Sequence, residues 1–159
     1  MHKQLVAGIG IACALWFAAA VRAQDQPNML VGKWHSDKAL TMKYVKANVR
    51  TDDQSLQFMQ DIAGHLTYTF TADHMITDRS AFDLHYQGKV VHIKELHDER
   101  QYRVVGSNST QSLISVNTEE GMTSITFNFD NKDAMWFVWS GDAIGISMPE
   151  SREYFTRAK

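Results

Sequence analysis

Histidine side chains offer the first route to chemistry in this chain, because imidazole both binds metals and exchanges protons near neutral pH. None of the histidines forms a His-x-x-x-His pair or another compact ligand motif. Across a predicted hairpin turn at 87–88, Asp83 pairs with His92 and His85 lies nearby, all on the polar face. A solvated His/Asp patch is the main interpretation, and a surface metal or haem site is a lesser alternative. The histidines beyond residue 23 are His35, His65, His74, His85, His92 and His97.

Sequence motifs for covalent or phosphate chemistry are not found. The sequence has no Gly-x-Ser-x-Gly elbow, no glycine loop for phosphate and no clear inward pair of carboxylates. Its single cysteine, Cys13, lies in a segment that we expect to be removed. The remaining chain would then lack both a thiol nucleophile and a disulfide. We therefore expect a protein that is not an enzyme, with no catalytic residues, no cofactor and no resident metal.

The first 23 residues are typical of a secretory signal peptide. Residues 5–21 are apolar or small, and Val21 and Ala23 are small residues at positions −3 and −1 of a cleavage site. The apolar run is short for a membrane helix, which needs about 20 residues. Lipidation of Cys13 is the alternative, although Gly10 fits the −3 position of a lipoprotein signal poorly. The sequence predicts that residues 24–159 form one domain, in the periplasm or outside the cell.

The charge and length of the predicted exported domain exclude some classes of partner. Once the predicted leader is removed, 14 basic and 18 acidic residues give a net charge of about −4. No cluster of lysines and arginines is present, which argues against nucleic acid and anionic membrane surfaces as partners. The remaining 136 residues are enough for one domain with a core, and we expect none of them to form an integral membrane segment.

The elements that would position any site begin with a helical insert over residues 37–64. Ser36 or Asp37 can cap a first helix, and Thr51 or Asp52 a second, because their side-chain oxygens accept hydrogen bonds from free amides. Gly64 would end the second helix. A long irregular loop is the alternative for this insert.

From His65 onward the hydrophobic period changes from helical spacing to two, which is typical of half-buried strands. Turns are predicted at 87–88, 120–121 and 140–142, and the charged run 94–100 is interpreted as a further turn. About eight to ten antiparallel strands follow from this spacing. Closure into a barrel is favoured over a sandwich, because open edges promote aggregation.

The alternation predicts an inner face that is almost entirely apolar and rich in aromatics. A wide barrel with this lining would hold an apolar ligand, oriented by tyrosine hydroxyls. A narrow barrel would be filled by the same side chains. The predicted ligand-lining residues are Tyr68, Phe70, Tyr86, Tyr102, Phe127, Phe137 and Trp139.

Short motifs at both ends of the domain resemble those of a known family of β-barrels. Gly32-Lys33-Trp34 resembles the Gly-x-Trp signature of lipocalins and related calycin barrels, and 68–73 resembles a Tyr-x-Phe-x-x-Asp hairpin of bacterial lipocalin-like domains. Phe155-Thr156-Arg157 is similar to their last strand, in which an arginine covers the signature tryptophan. The helical insert is similar to the lid of fatty-acid-binding proteins. The resemblance implies a mainly β fold, a single closed antiparallel up-and-down β-barrel with a helical insert after the first strand.

The same resemblance implies structural roles for Gly32, Trp34 and Arg157. An indole covered by a guanidinium would seal one barrel end, so these residues are expected to close the barrel rather than bind ligand. Fatty-acid-binding proteins hold a carboxylate with an Arg-x-Tyr pair, which Arg152 and Tyr154 could imitate. Alternation opposes this, because an inward Arg157 places Glu153 inward and turns Arg152 and Tyr154 outward. We favour the alignment that loses the anion site.

Two functions of different kinds are consistent with these features. The first is an exported carrier that holds a small hydrophobic molecule, such as a lipid or fatty-acid-like compound, inside the barrel. The second is a protein-interaction or inhibitor module whose barrel is filled and whose outer surface binds a partner.

Overall fold

Ten strands and two helices make up the described chain, which in this computed structural model comprises residues 28–119, 121–143 and 146–159. The predicted signal peptide, residues 1–23, lies outside the described residues. In chain order the elements are β1 (Gly32–Ser36), α1 (Lys38–Asn48), α2 (Asp53–Ile62), β2 (Leu66–Phe70), β3 (His74–Arg79), β4 (Phe82–Tyr86), β5 (Lys89–Ile93), β6 (Leu96–Ser107), β7 (Gln111–Thr118), β8 (Gly121–Asn131), β9 (Ala134–Ala143) and β10 (Ile146–Arg157).

Eight of the strands form a closed antiparallel barrel in the order β1-β10-β9-β8-β7-β6-β3-β2. The barrel closes through β1, where Trp34 lies opposite Arg157 on one side and opposite Tyr68 on the other. Closure leaves these eight strands without an unpaired edge, which removes a site of aggregation. The predicted fold, a mainly β closed barrel with a helical insert after its first strand, is confirmed.

The hairpin of β4 and β5 lies outside the barrel wall, because its two strands pair only with each other. β3 pairs directly with β6, with Arg79 opposite Leu96, so the chain between them leaves the wall and returns to it. The alternation of β4 reflects packing against α2 instead, with Leu84 buried. Tyr86 is the last residue of β4, which is not a strand of the barrel. The prediction that Tyr86 lines the barrel is therefore wrong.

The helical insert forms as its capping residues predict. Asp37 accepts a hydrogen bond from the Leu40 amide at 2.9 Å, and Asp52 accepts one from the Ser55 amide at 2.7 Å. Gly64 follows α2 with a φ of +93°, in the left-handed region that favours glycine. Neither α1 nor α2, the helices of the described chain, has the length and apolar character needed to cross a bilayer. Together they bury a small cluster of their own: Met42, Val45, Met59 and Ala63.

Two segments predicted as turns are strands. Within the charged run, β6 starts at Leu96, and its inward positions at this end are Asp98 and Arg100. Polar residues on the inner face hide the alternation that would otherwise mark a strand. The predicted reversal at 140–142 is also wrong, because β9 continues to Ala143 and Asp142 pairs with Ser147 of β10.

Trp34 occupies one end of the barrel, called the Trp34 end below. Its side chain is fully buried, and its indole N–H donates to the Leu30 carbonyl at 2.7 Å. The guanidinium carbon of Arg157 lies 4.1 Å from the centre of the indole ring, which is cation–π geometry. The Arg157 nitrogens donate to three backbone carbonyls, those of Met29 and Val31 at 2.7 Å and of Lys132 at 2.9 Å.

Gly32 makes this arrangement sterically feasible. Its φ is +130°, and a Cβ at this position would lie 2.5 Å from an Arg157 terminal nitrogen. A side chain here would therefore meet both backbone strain and the guanidinium. A glycine two residues before Trp34 leaves room for the Arg157 side chain to pass over the β1 backbone and reach the indole.

Candidate functional site

The inner face of β10 carries a carboxyl group in the barrel interior. Ser151, Glu153 and Phe155 are buried, whereas Arg152 and Tyr154 between them are half-buried. Glu153 itself has 0% exposure. A buried acid is uncommon without a charged partner, because transfer of the ionised group from water costs several kcal/mol. Glu153 is therefore the first candidate for a functional group.

The outward residues of β10 confirm the alignment that alternation favours. The Arg152 guanidinium lies 3.7 Å from the centre of the Trp136 ring and 4.7 Å from that of Tyr44 on α1. Tyr154 packs against Tyr44, with ring centres 5.9 Å apart. Arg152 and Tyr154 thus attach α1 to the outside of the barrel, and no Arg-x-Tyr pair of β10 reaches the interior.

Two neutral donors hold the Glu153 carboxyl. The Ser36 hydroxyl donates to one oxygen, and the Trp139 indole N–H donates to the other at 2.9 Å. Ser36 in turn accepts a hydrogen bond from the Gly64 amide at 2.9 Å, at the junction between α2 and β2. This series of hydrogen bonds places the carboxyl near the end of the barrel that carries the helices, called the helix end below.

Burial raises the pKa of Glu153 to about 7, although the hydrogen bonds from Ser36 and Trp139 act in the opposite direction. The carboxyl therefore exchanges between neutral and charged forms near neutral pH. Burial also raises the pKa of Tyr68, and the negative charge of Glu153 adds to this effect. The site thus combines a titrating carboxyl with a phenol that stays neutral.

Aromatic residues lie beside this carboxyl. Tyr68 has its ring centre 5.2 Å from that of Phe155 and 6.3 Å from that of Phe137. Phe137 lies directly opposite Glu153 in the pairing of β9 with β10. We call Glu153, Ser36, Trp139, Tyr68 and Phe137 the interior acid site.

Most predicted lining residues lie inside the barrel, but their surroundings differ. Tyr68, Phe70 and Phe127 are buried in the main core, with the ring of Phe127 5.4 Å from that of Phe70 and 5.9 Å from that of Tyr68. The Tyr102 hydroxyl donates to the Thr71 carbonyl at 2.8 Å, which occupies its proton. Phe137 and Trp139 are partly exposed, and Tyr86 lies on the outer hairpin.

A second polar group lies on the inner faces of β3 and β6. Asp98 and Arg100 form an ion pair there, opposite Thr77 and Met75 respectively. Arg79 lies opposite Leu66, and its Nε is buried without a hydrogen-bond partner among the described residues. This wall is therefore more polar than the sequence predicted.

Four of the described histidines pair with aspartates, and His35 and His65 instead contact the hydroxyls of Thr67 and Ser80. His92 contacts Asp83 at 2.8 Å, as the hairpin register predicts, but His85 turns away to Asp61 at 3.1 Å. Within residues 28–119, 121–143 and 146–159, no three His, Cys, Asp or Glu side chains lie close enough to hold a metal ion.

In comparisons with models of known protein families, with curated proteins and with solved structures, nothing matches this chain. The geometry of the barrel and of its interior is therefore the basis for a functional conclusion.

Sequence reasoning placed Glu153 inward through alternation but did not identify it as a site. The available signal was the position of Glu153 four residues before Arg157, on the same face of one strand. The ion pair of Asp98 and Arg100 was missed because these residues lie in a run of charge, which resembles an exposed turn.

Proposed function

We propose that this protein is an exported, non-catalytic binding protein of the lipocalin-like calycin type, which holds a small hydrophobic molecule inside its barrel. The Gly-x-Trp start, the arginine over the indole and the closed eight-stranded barrel support this assignment. The apolar leader supports export. Because the Trp34 end is sealed, the ligand would enter at the helix end.

The observation that carries the proposal is the buried carboxyl of Glu153 within an aromatic lining. A barrel built only for stability would place an apolar side chain here, because replacing buried charged groups with apolar ones is often neutral or stabilising. Titratable groups with perturbed pKa values are concentrated at functional sites. An apolar interior with a few polar groups is also the usual composition of a ligand site.

A filled interaction module is the second candidate, and two observations favour it. The rings of Tyr68, Phe70, Phe127 and Phe155 already pack closely in the interior. On β5, Val90 is 61% exposed and Val91 is 45% exposed, which leaves an apolar surface for a partner. This function would need no ligand in the barrel.

Titration with N-phenyl-1-naphthylamine, a neutral fluorescent probe of apolar sites, distinguishes the two. The mature protein should bind the probe with energy transfer from Trp139, which lies at the interior acid site. Trp139→Phe should reduce the transfer, whereas the matched variant Trp136→Phe should reduce it less, because Trp136 packs outside against Arg152. Solvent extraction and mass spectrometry of the exported protein should also recover a hydrophobic molecule. A protein that binds no probe and yields no such molecule would support the filled module.

A further inference from the structure

We propose that the ligand is a hydrophobic amine whose protonated nitrogen binds Glu153. This inference rests on the proposed function and specifies the ligand class at the same site. Three features support it: the hydrogen bonds that the Glu153 carboxylate can still accept, the lack of a cationic partner among the described residues, and the aromatic rings beside the carboxyl.

The hydrogen-bonding capacity left at the ionised Glu153 carboxylate is that of an acceptor. An ionised carboxylate can accept about four hydrogen bonds, and Glu153 accepts two, from Ser36 and Trp139. The Ser36 proton and the single indole proton of Trp139 are both used by this carboxyl. A ligand group bound to this carboxylate must therefore donate hydrogen bonds, as an ammonium group does.

Countercharge is the second requirement of this site. The hydrogen-bond partners of Glu153 in the described chain are neutral, and no described lysine, arginine or histidine forms a salt bridge with it. Arg152, its neighbour in sequence, points outward onto Trp136. A buried carboxylate is stabilised by a close cation in an environment of low dielectric constant. A ligand ammonium would supply that charge.

The rings around the carboxyl fit the same chemistry. Phe137 lies opposite Glu153 in the strand pairing, and the face of an aromatic ring beside the carboxyl would attract the ligand cation. The alkyl part of an amine would pack against the apolar lining. A carboxylate ligand would instead meet the charge of Glu153, which opposes a fatty acid in this position.

Arg79 is the position at which an acidic ligand could bind instead. It lies on the inner face of β3, and its Nε is buried without a hydrogen-bond partner among the described residues. Its terminal nitrogen, however, donates to the Lys94 carbonyl at 3.2 Å, and Arg100 on the next strand is already paired with Asp98. We therefore favour the amine and treat acid binding as an outcome of the test.

The test compares decylamine, decanol and decanoate as competitors for N-phenyl-1-naphthylamine at pH 8, where Glu153 is ionised because its pKa is about 7. The mature wild-type protein should bind decylamine roughly 10- to 100-fold more tightly than decanol, the range expected for a hydrogen bond between charged groups. Decanoate should bind least tightly. Glu153→Gln should remove most of the preference for the amine while changing the affinity for decanol by less than about threefold.

Glu150→Gln is the matched control, because Glu150 is an exposed carboxylate on the same strand and its variant should keep the full preference. Equal affinity for the three compounds, or a preference for decanoate, would overturn the amine assignment and leave hydrophobic binding intact. If the probe binds and no decyl compound displaces it, the amine assignment fails as well. Failure of the probe to bind at all would overturn the proposed function itself. The wild-type preference is measured without any variant, so it decides the question even where Glu153→Gln does not fold.

Discussion

Glu153 couples the charge of one residue to the stability of the whole domain. Its pKa in the folded protein, about 7, lies above the ordinary value of 4.5, so the folded state binds this proton more tightly than the unfolded chain does. The resulting contribution to the free energy of unfolding is complete below pH 4.5. It is lost as the pH rises through 7.

Glu153→Gln provides the test, because the amide is nearly isosteric and does not titrate. Between pH 5 and pH 8 the wild type should lose about 2 kcal/mol of unfolding free energy relative to this variant. Urea unfolding of both proteins at several pH values measures the difference. The pKa of His65 is lowered, mainly by burial, and that of His97 is raised, mainly by its hydrogen bond with Asp78. Both shifts are present in both proteins, so subtraction removes their effect. A difference that stays constant with pH would show that burial does not raise the pKa of Glu153.

At the scale of elements, the insert and the hairpin are joined by one carboxylate. Asp61 near the end of α2 accepts the His85 amide of β4 at 2.7 Å and the Gln57 side-chain amide at 2.8 Å. Its side chain is only 11% exposed, so solvent competes little for these bonds. Since β4 and β5 have no strand partners in the barrel, this contact and the burial of Leu84 hold the hairpin in place.

Asp61→Ala should therefore loosen the hairpin without opening the barrel. Amide hydrogen exchange of β4 should accelerate by roughly tenfold, the effect of losing a buried hydrogen bond to a charged group. The amides of β7 and β8 should exchange at nearly wild-type rates. Asp83→Ala is the control, because Asp83 is exposed and pairs with His92 within the hairpin itself. Uniform acceleration across all strands would mean that the hairpin unfolds only together with the barrel.

The elements also show which features could be predicted from sequence. Caps and tight turns depend on neighbouring residues, so Asp37, Asp52 and the turn at Gln87 and Gly88, with φ of 50° and 71°, were predictable. The alternation of β10 was predictable too, because a single contact between Trp34 and Arg157 fixes which face points inward.

Strand partners and interior charge could not be predicted in the same way. The alternation of Phe82, Leu84 and Tyr86 shows that one face is buried, but it does not say whether a barrel or α2 covers it. Likewise, residue type does not show that Glu153 is buried, since most glutamates are exposed. Both features arise from contacts between segments that are distant in the chain.

At the scale of the whole molecule, closure depends on the two ends of the described domain meeting. β1 pairs with β10, and the Ala158 amide donates to the Lys33 carbonyl at 2.8 Å. Arg157 then ties the segment before β1, the turn after β8 and the indole together through one side chain. Removing this arrangement would expose the apolar core at the Trp34 end and free two strand edges.

Gly32→Ala tests this closure with the smallest change available. A methyl group at Gly32 must adopt a φ of +130° and displace the Arg157 terminal nitrogen that would lie 2.5 Å away. Backbone strain and the lost hydrogen bonds together should lower the free energy of unfolding by about 2–4 kcal/mol, measured by urea unfolding. Exchange of the β1 and β10 amides should accelerate more than that of β7, because the strands at the seam lose their tie first.

Gly106→Ala is the matched control, because a Cβ there would meet no atom within 4 Å, and Gly106 also lies in the barrel wall. Its effect should stay within about 1 kcal/mol, as is usual for an exposed substitution without a special backbone conformation. Equal destabilisation by the two variants would show that neither the backbone conformation of Gly32 nor its closeness to Arg157 adds a specific cost. In that case the contact of Arg157 with Trp34 would contribute little to closing the barrel at the Trp34 end.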